Sequence, residues 1–147
     1  MQSDTVYTGR CYCGAVRLRA HSAPQTITYC HCTDCRRWTG APVGAFAAFE
    51  ETALYFTPEL GSSFSRVEGV ERWTCQTCGS PLAARFDYLP GQIYVPLGLM
   101  DQAADMRPQM HCHYDSRLPW LKISDSLPCA LGSGRDTLLS GGQTDQT

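Results

Sequence analysis

Short apolar segments separated by glycine- and proline-containing turns run along most of this chain. Residues 15–20, Ala-Val-Arg-Leu-Arg-Ala, alternate apolar and basic side chains, which is typical of a half-buried strand. Residues 43–49 form a continuous apolar run that predicts a strand buried in the core. Further strands are predicted around residues 5–7 and over residues 26–30, 53–57, 62–67, 70–74, 81–87 and 93–97.

Turn residues mark the boundaries of these segments, among them Pro58, Gly69 and the Pro90-Gly91 pair. Residues 38–42, which end in Gly-Ala-Pro, are predicted to form a turn. Helical turns are predicted for two segments alone, 33–39 and 99–106. Many short strands at regular spacing predict a mainly β protein, a sandwich or an open barrel.

Length and composition set the domain organisation. A chain of 147 residues suits one domain with a real core, which we place at residues 5–131. Residues 1–4 are expected to be flexible. Residues 132–147 are rich in glycine, serine, threonine and aspartate, and we expect a disordered tail there.

Charge and hydropathy argue against two classes of partner. The net charge is −2 and no dense lysine or arginine run occurs, so nucleic-acid binding is not expected. No apolar run is long enough to cross a bilayer, and the polar start Met1–Asp4 does not resemble a secretory signal. We therefore expect a cytoplasmic protein, and the sequence leaves its oligomeric state open.

Nine cysteines are many for such a chain, and most of them lie in tight clusters. Closely spaced thiolates share a cation readily but pair poorly with one another as disulfides, so the clusters favour metal binding. The clusters are Cys11-x-Cys13, Cys30-x-Cys32-x-x-Cys35 and Cys75-x-x-Cys78. Their seven sulfurs divide naturally into a group of four and a group of three.

In two of the clusters a glycine follows the last cysteine: Gly14 follows Cys13, and Gly79 follows Cys78. A metal knuckle folds the backbone so that N–H groups point at sulfur, and glycine tolerates the positive φ that this fold often needs. Cys35 is followed by an arginine instead. We therefore predict a closed structural zinc site made by four cysteines, Cys11, Cys13, Cys75 and Cys78.

The remaining three cysteines, Cys30, Cys32 and Cys35, can bind a second zinc. Three thiolates leave one tetrahedral position for water or substrate, as in a catalytic site, whereas a fourth protein ligand would make the site structural. The candidate fourth ligands are His31, His111, Cys112 and His113, although alternation along a strand turns His31 away from its neighbours. Cys129 stands alone and is predicted to be an ordinary thiol.

Four arginines lie near the clusters in the sequence. Seven thiolates carry more negative charge than two zinc ions neutralise, and the positive charge of these arginines can offset the remainder. They are Arg10, Arg36, Arg37 and Arg72. Arg36 and Arg37 follow Cys35 directly, and a guanidinium matches a carboxylate well, so these two are the candidate substrate-binding residues. The alternative is that both are solvated surface residues.

Taken together, these segments resemble the glutathione-dependent formaldehyde-activating enzyme family, which includes proteins of the centromere protein V type. The resemblance covers roughly residues 7–128 in order. It is carried by residues 9–16 (GRCYCGAV), 30–42 (CHCTDCRRWTGAP) and 75–80 (CQTCGS), and further along by Leu99-Met100-Asp101, Pro108, His111 and Pro119-Trp120.

The resemblance implies a β-tent fold of stacked antiparallel sheets with two zinc ions. It also implies that the group of four cysteines holds structural zinc and the group of three holds catalytic zinc. The activity implied is that of a carbon–sulfur lyase that joins glutathione and formaldehyde as S-hydroxymethylglutathione. The enzymes that define the family are longer than this chain, and Cys112 and His113 match no family motif.

Two hypotheses of function follow. In the first, the protein is a zinc-dependent enzyme that makes or breaks a carbon–sulfur bond, with a glutathione-like thiol as its partner. In the second, it is a non-enzymatic zinc module that binds a thiol or a protein, since function belongs to sites and not to folds. An exchangeable fourth position at the three-cysteine zinc favours the enzyme, and four protein ligands favour the module.

Overall fold

The regular elements include nine strands, a short α-helix and four 3-10 turns in the computed structural model, which describes residues 6–135 and residue 138. The strands are β1 (Tyr7–Arg10), β2 (Arg17–Ala20), β3 (Thr26–Cys30), β4 (Gly44–Glu50), β5 (Leu54–Thr57), β6 (Val70–Thr74), β7 (Pro81–Phe86), β8 (Gln92–Pro96) and β9 (Met110–Cys112). The helix, α1, covers Thr33–Thr39. The predicted mainly β fold is confirmed.

The strands form two sheets. The first has three antiparallel strands in the order β1-β2-β5, and the second has six in the order β6-β7-β8-β4-β3-β9. The expectation of purely antiparallel sheets is wrong at one edge, because β9 runs parallel to β3. β8 and β9 run in the same direction, since both are parallel to β3, and a long connection with 3-10 turns at Leu97–Leu99 and Ala103–Asp105 carries the chain back across the sheet between them.

Both faces of the six-stranded sheet are covered. On β4, Ala47 and Phe49 belong to a core cluster that also contains Leu18 of the three-stranded sheet, so this cluster lies between the sheets. Phe46 and Ala48 point to the opposite face and belong to a second cluster. Burial on both faces explains why this strand reads as a continuous apolar run.

Helix α1 begins three residues after the end of β3, with His31 and Cys32 between them. The Cys32 side chain accepts a hydrogen bond from the Cys35 backbone N–H at 3.3 Å and so caps the helix. Gly40 ends it in the left-handed conformation, with φ of 76°. The predicted helical turn over residues 33–39 is confirmed. Among the described residues, no helix has the length and apolar content needed to cross a membrane.

One predicted segment differs from the structure, and a second agrees with it in part. Residues 62–67 were expected to form a strand, yet only Phe64 pairs there, in an isolated bridge to Arg72. Most side chains of this segment are exposed, so burial does not hold it in a strand. Residues 99–106 were predicted to make a helical turn, and they contain one of the 3-10 type at Ala103–Asp105, while Leu99 ends another at Leu97–Leu99.

The predictions for the two chain ends fall largely outside the described residues. Residues 1–4 lie outside them, as does most of the segment 132–147. Leu138 is described and is buried in the second core cluster. Its carbonyl accepts a hydrogen bond of 3.1 Å from Gln92 Nε2, so the chain returns to the core at this residue.

Candidate metal centres

Four cysteine sulfurs meet where the two sheets approach each other. Cys11 and Cys13 lie between β1 and β2, and Cys75 and Cys78 lie between β6 and β7. All four Sγ atoms are within 4.8 Å of one another. The Cys11 sulfur lies 3.7 Å from that of Cys13 and 3.6 Å from that of Cys75. The group therefore links the three-stranded sheet to the six-stranded sheet.

The backbone around these cysteines has the expected knuckle geometry. Gly14 and Gly79 have φ of 82° and 78°, the left-handed region that glycine adopts without strain. Backbone N–H groups point at sulfur: Val16 N lies 3.4 Å from Cys11 Sγ, and Cys78 N lies 3.5 Å from Cys75 Sγ. These donors stabilise thiolates at the centre of the group.

Ser80 adds a further donor at this centre. Its hydroxyl lies 3.1 Å from Cys78 Sγ. Hydrogen bonds from this hydroxyl and from the Ser80 backbone lower the pKa of Cys78 to about 5. A cysteine with such a pKa is a thiolate at neutral pH, the form that binds a metal ion.

Three more sulfurs meet at the junction of β3 and α1. Cys30 is the last residue of β3, Cys32 caps α1, and Cys35 lies in its first turn. Their Sγ atoms also lie within 4.8 Å of one another, with 3.4 Å between Cys30 and Cys32. Hydrogen bonds from the Cys30 thiol and then from Cys35 lower the pKa of Cys32, and the hydrogen bond to Cys32 raises the pKa of Cys30. The three cysteine side chains therefore form one interacting group.

Zinc fits both groups. With Zn–S bonds of about 2.3 Å, the edge of a tetrahedron of sulfurs is about 3.8 Å. The sulfur separations of 3.4 to 3.9 Å lie close to that edge. Thiolates are soft ligands that favour zinc over magnesium or calcium.

The candidate fourth ligands of the three-cysteine group occupy different places. The buried His31 ring hydrogen-bonds to His111, with 2.8 Å between Nε2 and Nδ1. Cys112 Sγ lies 3.1 Å from the Thr28 hydroxyl. In the part of the chain that the structure describes, no fourth ligand atom of a histidine, cysteine, aspartate or glutamate joins the three sulfurs within 4.8 Å.

A cavity of about 40 Å³ adjoins the three-cysteine group. Cys30 and Cys35 line it together with Cys112 and His113, two of the predicted fourth ligands. Cys112 lies beside Cys30, because the two residues are register partners on the adjacent strands β3 and β9. The rest of the wall is largely apolar and aromatic, with one arginine. These further lining residues include Phe46, Arg72, Phe86, Tyr88 and Tyr94.

The two arginines after Cys35 have different surroundings. Arg36 is half-buried, and its Nη1 donates to the carbonyls of His31 at 3.1 Å and Ser116 at 2.6 Å. Arg37 is exposed and lines a surface cleft of about 280 Å³ beside α1. Arg37 is therefore the one whose head group faces solvent. Cys129 is exposed and belongs to neither sulfur group.

Arg72 and Tyr88 line the cavity, although the sequence singled out neither as a site residue. Burial raises the pKa of Tyr88, and the negative charge of nearby cysteines adds a smaller increase. The resulting pKa is about 12, so the phenol stays protonated. Alternation along residues 70–74 places Arg72 on one face of its strand. No spacing in the sequence connects that face with the cysteines at 30–35.

The structure is a mainly β fold with two groups of clustered cysteines, each able to hold a metal ion. A family model described as "Glutathione-dependent formaldehyde-activating enzyme" matches residues 6–116. The chain belongs to this family. The predicted family resemblance is confirmed.

Individual proteins resemble the chain as well. An uncharacterized lyase of Schizosaccharomyces pombe is 30% identical over 76 residues, which cover 52% of this chain. The match spans 55% of that relative, little more than half its length. The crystal structure of a Rhodobacter sphaeroides protein aligns with 84% of this chain and 99% of its own, at a TM-score of 0.51 and 20% identity. This second likeness concerns the fold alone.

Proposed function

We propose that this protein is a zinc-dependent carbon–sulfur lyase acting on the adduct of a glutathione-like thiol and a small aldehyde. In this proposal Cys11, Cys13, Cys75 and Cys78 hold a structural zinc ion. Cys30, Cys32 and Cys35 hold the zinc ion at which the reaction occurs. Membership of the family and the name of the lyase relative support this reaction class.

The main observation behind this proposal is that Cys30, Cys32 and Cys35 supply only three of the four ligands of a tetrahedral zinc ion. Three sulfurs converge beside a cavity, and among the described residues no fourth ligand atom lies within the same spacing. The group of four cysteines has a full tetrahedral set. A three-ligand site with an open position is the arrangement of catalytic zinc, which favours an enzyme over a purely structural module.

A bound zinc ion would supply Lewis acidity for a carbonyl and would lower the pKa of a thiol. The protein's own part is to position the reactants. The cavity around Cys30 and Cys35 has a largely apolar wall, which limits the contact of these two sulfurs with water. Its volume of about 40 Å³ exceeds the ~10–15 Å³ that one water needs and admits only a few heavy atoms. That size suits the aldehyde end of an adduct. The rest of the adduct, the glutathione-like part that we call the thiol body, is too large for it.

The thiol body requires a larger site, and we place it in the surface cleft beside α1. Arg37 and Arg66 line that cleft and present positive charge to a carboxylate. Asp34 lies 3.5 Å from Arg66 and partly offsets its charge. Arg37 is thus the stronger candidate for carboxylate binding, while the Nη1 group of Arg36 is already bonded to two backbone carbonyls.

Proton NMR of a thiol and aldehyde mixture tests the proposal. The zinc-loaded protein should accelerate exchange between free glutathione and S-hydroxymethylglutathione, and Cys35→Ser should abolish the acceleration. Arg37→Ala should raise the KM for the thiol with little effect on kcat. If glutathione binds saturably but no thiol–aldehyde pair exchanges faster than in buffer, the non-enzymatic module is the better description.

A further inference from the structure

Arg72, on β6, is a half-buried arginine beside the three-cysteine group. Its Nη1 atom is buried and has no hydrogen-bond acceptor among the described residues. Every described salt bridge of the chain involves other residues. A guanidinium cannot lose its proton in a protein, so this donor remains charged. A buried, charged donor without an acceptor costs free energy, which a ligand oxygen would offset.

The surroundings of Arg72 hold its head group beside the three-cysteine group. The guanidinium carbon lies 4.7 Å from the centre of the Trp38 ring and 5.7 Å from that of Phe86. Arg72 lines the cavity that Cys30 and Cys35 also line. Among the described lining residues it is the only arginine or lysine. Stacking between rings restricts a guanidinium without using its N–H donors.

Arg72 also lines the surface cleft that contains Arg37, so it lies in the wall between the small cavity and the larger cleft. In the proposed function, the aldehyde end of the substrate occupies the cavity and the thiol body occupies the cleft. The reacting carbon joins these two parts. A donor in the shared wall is therefore placed next to the oxygen on that carbon.

We propose that Arg72 binds the reacting oxygen of the substrate and stabilises the negative charge that develops on it. This inference rests on the proposed lyase function and adds a catalytic residue to it. In cleavage, the adduct hydroxyl loses its proton, and an oxygen lone pair forms the C=O bond. The C–S electron pair moves to sulfur, which takes up a proton, so one adduct gives one thiol and one aldehyde. In the transition state the oxygen is anionic, and the Arg72 N–H groups donate to it.

Formate is a suitable probe, since it is a one-carbon oxyanion small enough for the cavity. Binding of ¹³C-formate to the zinc-loaded protein is measured by NMR for wild type, Arg72→Met and Arg85→Met. Methionine keeps an apolar stem between Trp38 and Phe86 but removes the donors. Arg85 is the matched control, because it stacks on Trp73 at 5.6 Å and pairs with Glu51 and Glu71, away from the cavity. Melting temperature and zinc content are recorded for each variant.

We expect saturable formate binding to wild type, about tenfold weaker binding to Arg72→Met, and unchanged binding to Arg85→Met. In the exchange assay, Arg72→Met should lower kcat about 100-fold with little change in the KM of the thiol, as for loss of one oxyanion donor. Arg72→Lys keeps the charge and should recover part of both effects. A purely structural role would instead lower the melting temperature or zinc content and affect kcat and KM together.

Two results would overturn the inference. One is a folded, zinc-loaded Arg72→Met that binds formate as wild type does. The other is wild type without saturable formate binding. A different result would show that the lyase proposal is wrong while Arg72 still binds anions. In that case formate binding depends on Arg72, but no thiol–aldehyde pair exchanges faster than in buffer. Arg72 would then be an anion-binding residue of a site with another reaction.

Discussion

His31 and His111 are hydrogen-bonded to each other inside the protein, with 2.8 Å between Nε2 of His31 and Nδ1 of His111. His111 Nε2 lies 2.9 Å from a carboxylate oxygen of Asp125. Both rings are buried, and burial, followed by the charge of His111, lowers the pKa of His31 to about 4. His31 lies between Cys30 and Cys32 in the sequence. The hydrogen bonds that connect Asp125, His111 and His31 therefore hold in place the backbone segment that carries Cys30 and Cys32.

We predict that His111→Phe lowers the free energy of unfolding by about 1–3 kcal/mol. Phenylalanine fills the space, but both ring nitrogens of His31 then lack a partner in a buried position. Asp125→Asn keeps an oxygen acceptor for His111 and should cost less than about 1 kcal/mol. Urea denaturation of the zinc-loaded variants measures both changes. Equal stability of His111→Phe and wild type would show that the histidine pair does not stabilise this region.

The glycine after Cys78 gives a prediction about the knuckle. Gly79 has φ of 78°, and an added Cβ would meet no atom within 4 Å, so the conformation alone sets the cost of a side chain. Gly79→Ala should lower stability by about 1–2 kcal/mol. Gly61 also has open space but no positive φ, so Gly61→Ala should be neutral or slightly stabilising. Thermal denaturation compares the two, and equal effects would contradict the assigned strain.

The two proposed zinc ions should differ in lability. Protein purified without chelator should contain about two zinc ions per chain, because each sulfur group matches one tetrahedral site. Mild chelation should remove the ion at the three-cysteine group first and leave the circular dichroism spectrum nearly unchanged, since that group offers fewer ligands. Colorimetric zinc release recorded alongside circular dichroism makes the comparison. Loss of both ions in one step with unfolding would contradict the difference.

Local patterns in the sequence predicted most strands. The predicted strands over residues 26–30 and 70–74 coincide with β3 and β6, because alternation and turn residues define both ends. Residues 62–67 show the limit of such patterns. Their apolar residues Phe64 and Val67 are exposed, so tertiary packing decided against a strand. The parallel pairing of β9 with β3 joins segments 82 residues apart, as in Thr28 and Met110, and no local pattern encodes such a pairing.

The sulfur groups were predictable for a related reason. Short cysteine spacings place ligands together locally, and the glycines after Cys13 and Cys78 identified the two halves of the four-cysteine group. Arg72 was noticed only as a charge near the clusters. Its place beside Cys30 and Cys35 depends on the packing of β6 against α1 and the aromatic residues. Such a contact exists only in the folded protein.

The most direct test of the account compares Cys78→Ser with Cys35→Ser by zinc content, melting temperature and thiol binding. Cys78 belongs to the group that links the two sheets, so its loss should cost several kcal/mol of a total of about 5–15 kcal/mol, and the variant should be insoluble or melt far below wild type. Cys35 belongs to a group formed within six residues, which closes almost no chain loop. Cys35→Ser should stay folded with about one zinc ion and lose both thiol binding and turnover. An unfolded Cys35→Ser beside an intact Cys78→Ser would reverse the roles of the two groups, and thiol binding by both variants would contradict the proposed active site.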